Sequence, residues 1–125
     1  MRFAFAVLLC LHGFAHLVGL AGAWQLGTGI PHKTTLLGGR VDVGEPGIRA
    51  FSVVWLVGAL AFMATGFALA FDIPLWATLA VAAALFSLVI SVLALPDAVV
   101  GVWINAGLLA MLLAAHRMGW LSVWP

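Results

Sequence analysis

Long apolar runs separated by short polar breaks set the architecture of this chain. The first run, Phe3 to Trp24, holds no Asp, Glu, Lys or Arg. As a helix it would be about 33 Å long, enough to cross a bilayer core. Further runs span Arg49 or Ala50 to Phe71, about Leu75 to Leu95, and about Ala98 to Met118. Four spans follow, over residues 3–24, 50–71, 75–95 and 98–118. The breaks between the later spans are tight. Asp72-Ile73-Pro74 puts a proline at the first turn of the third helix, and Pro96-Asp97 offers Asp97 as N-cap of the fourth. Short connections favour antiparallel neighbours. The expected fold is therefore all-α: one four-helix transmembrane bundle, up-down-up-down, over residues 1–125.

The one long connection is Gln25 to Ile48. Five glycines before Glu45, with Pro31 and Pro46, read as helix breakers. Leu36-Leu37, Val41 and Val43 suit a short strand or a flap lying on the bundle mouth. Composition sharpens the picture. The chain is 66% hydrophobic and 7% charged, with a mean hydropathy of +1.24. A soluble domain carries roughly 25% charged residues, so a soluble globule is excluded. A net charge of +1 offers no basic face for nucleic acid. Cys10, the single cysteine, reads as a small buried apolar residue. Met1-Arg2, the apolar run and Ala21-Gly22-Ala23 resemble a cleaved secretory signal. The length of the run and its two central histidines favour a retained first helix.

Tryptophans near the span ends fit an interfacial belt, with Trp24, Trp55 and Trp103 towards one face and Trp76, Trp120 and Trp124 towards the other. Arg2 and Arg117 favour cytoplasmic termini; Lys33, Arg40 and Arg49 on the long loop oppose this. Asp72 and Arg117 fall on the same face and could pair. Small residues mark helix contacts: Gly13, then Gly19 with Ala23, then Ser52, Gly58, Thr65 and Gly66 as one stripe, and Gly101.

Candidate chemistry lies in the membrane interior. His12 and His16 are four residues apart and share a helix face, about 6 Å apart along the axis. Counting down from the long-loop side puts His16, Ser87 and Asn105 at one level, roughly 12 Å deep. His12 lies about one turn deeper, and Trp55 and Gly58 approach the layer. Two readings stay open. The layer sets helix register through hydrogen bonds, or it lines a ligand pocket formed by His12, His16, Trp55, Ser87 and Asn105. No cofactor is expected. A quinone fits the second reading, whereas a haem would need an axial histidine from another helix. No metal site is complete, because the acids Asp42, Glu45, Asp72 and Asp97 all lie in loops or at helix ends. No nucleotide-binding, hydrolase or zinc-protease motif occurs, so no catalytic residue is assigned.

His12-Gly13-x-x-His16-Leu17-x-Gly19, Trp55-Leu56, Pro96-Asp97 and Gly101-x-x-x-Asn105 together resemble a widespread, uncharacterised family of small four-helix bacterial membrane proteins. More distantly, the four-helix layout and the His-Gly pair of helix one are similar to the DoxX-like family. Some of its members are linked to quinone-dependent sulfur oxidation and others to redox-stress complexes. The resemblance implies a bacterial cytoplasmic membrane and a quinone or redox-partner role. The chain departs from the DoxX pattern in lacking the lysine that often follows the His-Gly pair. The leading expectation is a non-catalytic accessory subunit or interaction module, in a homo-oligomer or larger membrane complex. A redox-linked or lipophilic-ligand-binding protein is the alternative, and a small transporter the third.

Overall fold

A computed structural model describes residues 2–119. Helix α1 spans Arg2–Ala23, α2 Gly44–Ala70, α3 Trp76–Leu93 and α4 Val99–Arg117. All four are long and apolar enough to cross a membrane, and the chain is a multi-pass membrane protein of the all-α, four-helix bundle class. Each helix packs on the next in chain order. No seam of comparable extent joins α1 to α4.

Small residues bring α1 and α2 together. A Cβ on Gly13 would stand 2.8 Å from the Ala59 carbonyl oxygen, and one on Gly66 2.8 Å from that of Ala6 and 2.5 Å from the Cys10 sulfur. Cys10 is half-buried at this crossing. The stripe Ser52, Gly58, Thr65 and Gly66 is buried along its length. Towards the termini the bundle is filled by Ala6, Leu9, Phe62, Leu69, Ala83 and Ala84. Towards the other end it opens.

Four expectations need correction. Helix α2 begins at Gly44, so the loop covers only residues 24–43. Pro46 lies in the first turn, where its missing N–H costs no hydrogen bond. The Asp42 carboxylate accepts the Gly44 N–H at 3.0 Å; this bond and the Thr34 hydroxyl hold its pKa below the usual value. Asp97 does not cap α4, whose N-cap is Ala98 without a side-chain bond. Instead Lys33 Nζ donates to both Asp97 oxygens at 2.8 and 2.7 Å. Asp72 pairs with Arg2 at 3.1 Å rather than with Arg117. Trp55 turns inward rather than serving as a belt residue. Trp103 is 74% exposed; Trp120 and Trp124 lie outside the described residues.

The flap is a two-residue hairpin, β1 (Thr35–Leu36) paired antiparallel with β2 (Val41–Asp42). Its turn caps α3. The Leu37 N–H donates to the Leu93 carbonyl at 2.8 Å and the Gly38 N–H to that of Leu95 at 2.7 Å, partnering acceptors that a helix end leaves unpaired. His32 ties the preceding strap to α1 and α2. Its Nδ1 donates to the Gly22 carbonyl at 3.0 Å and its Nε2 to Glu45 Oε1 at 2.7 Å. An imidazole that donates from both nitrogens is charged. The Glu45 bond first, then the Gly22 bond, raises its pKa above the ordinary 6.5. A raised folded-state pKa stabilises fully below about 6.5, and the gain is lost as pH rises through the raised value. Hydrogen-exchange protection over residues 30–35, taken relative to the intrinsic base-catalysed rate, is therefore expected to fall as pH rises through this window. His32→Gln should abolish that pH dependence; an unchanged profile would contradict the assignment.

Candidate functional site

The histidine layer is a closed hydrogen-bonded circuit whose polarity two backbone carbonyls decide. Asn105 Nδ2 lies 2.8 Å from the Gly101 carbonyl, which can only accept, so this atom is the amide nitrogen. It also donates to Ser87 Oγ at 2.7 Å. Asn105 Oδ1 then faces His12 Nε2 at 3.2 Å, and His12 is the donor. His16 Nδ1 donates to the His12 carbonyl at 2.9 Å. Its Nε2, in the neutral ring, accepts the Ser87 hydroxyl proton at 2.6 Å. With both rings neutral, every group in the circuit except His12 Nδ1 finds its complement. No carboxylate joins it, and an unpaired charge here would be costly.

Burial separates the members. Asn105 and Ser87 are 0% exposed and His16 3%, whereas His12 is half-buried. Among the described residues, every buried side-chain nitrogen and oxygen has a partner. His12 Nδ1 has none, so it is not sealed in the packing. Phe62 forms the floor: its ring meets His12 edge-on at 4.5 Å and His16 at 5.4 Å. Trp55 lies against His16, ring centres 5.4 Å apart. Gly58 admits His16, since a Cβ there would stand 2.8 Å from the ring carbon Cδ2. Gly19 likewise seats the Trp55 indole, and Gly101 lies against Ser91 Oγ.

Above this floor is a cavity of about 530 Å³. Its deep end is His12 and His16; Phe51, Ser52 and Trp55 of α2 and Ser91 of α3 form the back wall. Ile30, Pro31, Thr35 and Leu36 of the strap roof it, and the Lys33–Asp97 pair lies at the mouth. The remaining side is the gap between α1 and α4, lined by Ala15, Val18, Val100 and Ile104. All four are exposed on the membrane-facing surface.

The structure thus joins His12, His16, Ser87 and Asn105 in one network and sets Trp55 beside them. Of these, His12, His16 and Trp55 line the cavity, while Ser87 and Asn105 lie behind its wall. Sequence reasoning missed Phe62 as the floor and Ile48 and Phe51 in the lining. The spacing of Ile48, Phe51, Ser52 and Trp55 along one helical face is the signal that could have found the last two. Ser91, one turn beyond Ser87, shares its face in the same way. Among the described residues no three His, Cys, Asp or Glu side chains converge as metal ligands. Of the four ring nitrogens in the pair, His12 Nδ1 alone is left for an incoming molecule. No family model, curated protein or solved structure matches this chain.

Proposed function

We propose that this multi-pass membrane protein binds a small lipophilic molecule with a polar head, quinone-like in size, in the cavity between α1 and α4. The observation that carries the reading is the 530 Å³ cavity lined by His12 and His16, next to the hydrogen-bonded layer. The volume lies in the range of sites for small organic ligands. A bundle that needed the histidines only for register would have no use for a cavity above them. The gap between α1 and α4 gives a lipid-dissolved ligand a path from the bilayer, and the roof shields its head from water. The DoxX-like resemblance, with its quinone-linked members, points the same way. In a bacterial cytoplasmic membrane with cytoplasmic termini, the roof and the Lys33–Asp97 pair face the opposite side. The reading requires no reaction at the site. Assembly as an accessory subunit is compatible with it, with the ligand buried further by a partner.

Native mass spectrometry on protein extracted gently from its own membrane tests this. The wild type is expected to carry a small lipophilic adduct that Ala94→Trp, which fills the cavity, removes without loss of fold. A ligand-free wild type co-purifying with another subunit would instead support the accessory role alone.

A further inference from the structure

The circuit has an unfinished counterpart one helical turn nearer the strap. In the circuit, Gly58 of α2 admits His16 of α1, and Ser87 of α3 bonds to Asn105 of α4. Three or four residues along each helix the pairs recur, with glycine in place of the histidine and the amide. Gly19 of α1 seats Trp55 of α2, and Gly101 of α4 lies against Ser91 of α3, where a Cβ would stand 2.8 Å from Oγ. The glycines offer these two side chains no polar group, and neither has a hydrogen-bond partner among the described residues. We infer that the ligand carries an uncharged oxygen head, a carbonyl or hydroxyl, and that the Ser91 hydroxyl holds it at this upper level. The inference rests on the pocket reading above and adds the residue that anchors the head and the chemistry of that head.

Three of the polar side chains that line the cavity are buried: His16, Ser52 and Ser91, at 3%, 1% and 1% exposure. His16 has both nitrogens engaged. Ser52 Oγ accepts from Trp24 Nε1 at 2.9 Å and donates to the Arg49 carbonyl at 2.6 Å. Ser91 Oγ bonds to nothing. Every sealed side-chain nitrogen and oxygen among the described residues has a partner, so Oγ opens onto the cavity that Ser91 lines. A hydroxyl both donates and accepts, whereas the Trp55 indole N–H at the same level only donates. An oxygen with free lone pairs suits both groups, and a hydrocarbon end would leave both dry and unpaired. The charges that line the cavity, Lys33 and Asp97, lie at the mouth and pair with each other. A charged head at the Ser91 level would therefore lack a counter-ion.

The matched probes are para-hexylacetophenone and para-hexylcumene, in which a methyl group replaces the carbonyl oxygen. Both are titrated by calorimetry into protein in nanodiscs, with empty nanodiscs as reference. The ketone is expected to bind the wild type about fivefold more tightly than the hydrocarbon, the effect of one hydrogen bond. Ser91→Ala should remove that preference and return the carbonyl stretch of the bound ketone, read by infrared difference spectroscopy, towards its value in lipid. Its unfolding midpoint without ligand should not fall, because Oγ has no partner to lose. A preference that survives Ser91→Ala, or a midpoint that drops in that variant, would overturn the assignment. If the two probes bind equally and Ala94→Trp excludes both, the pocket stands and the Ser91 anchor falls. If neither probe binds the wild type, the inference falls together with the pocket.

Discussion

Replacing Asn105 by leucine is expected to lower stability by about 2–3 kcal/mol, although the two side chains are close in size. The reason is the number of groups that depend on it. Asn105 Oδ1 is the acceptor for His12 Nε2, and Nδ2 is a donor to Ser87 Oγ. Leucine leaves the His12 N–H facing hydrocarbon and weakens the serine that holds His16. Individual polar contacts inside membranes are worth about 1 kcal/mol or less, so the loss reads the cost of an orphaned donor rather than of one bond. The companion double variant, Asn105→Leu with His12→Phe, removes donor and acceptor together and should recover part of the loss. Reversible unfolding in mixed micelles measures both. A single variant within about 0.5 kcal/mol of wild type, the scale of one minor contact, would mean that the circuit contributes little to the bundle.

Gly66→Val should cost as much or more, about 2–3 kcal/mol, through overpacking. The obstacle is backbone. A Cβ at position 66 meets the Ala6 carbonyl oxygen at 2.8 Å as well as the Cys10 sulfur. No rotamer change relieves the first contact, so α1 must move away from α2 and disturb the seam that also positions His12 and His16. Gly107 is the internal control. It lies in α4, and a Cβ added there would meet nothing within 4 Å. Gly107→Ala should stabilise by about 0.5–1 kcal/mol through helix propensity. Equal effects at the two positions would contradict the close approach of α1 and α2.

The apolar runs alone located all four helices, because a span without charges has few other places to go. Depth was legible too: counting about 1.5 Å per residue from the loop side brought His16, Ser87 and Asn105 to one level. Helix rotation was not, so the circuit was beyond reach. Ser87 stands between His16 and Asn105, and His12 reaches Asn105 although it lies a turn deeper. The start of α2 was misplaced because Pro46-Gly47 reads as a breaker, yet a first turn tolerates proline. Asp97 looked like a cap because it follows Pro96. Its partner Lys33 is 64 residues away, a pairing that only the folded strap creates. The cavity was the least legible feature, since it arises where α1 and α4 fail to close, and no local pattern records a missing contact.

The hydrogen-bonded layer beside the cavity requires His12 and His16 to be opposite tautomers. Nitrogen-15 NMR of histidine-labelled protein in nanodiscs reads this directly. The prediction is a proton on Nε2 of His12 and on Nδ1 of His16. The same tautomer at both rings would contradict it.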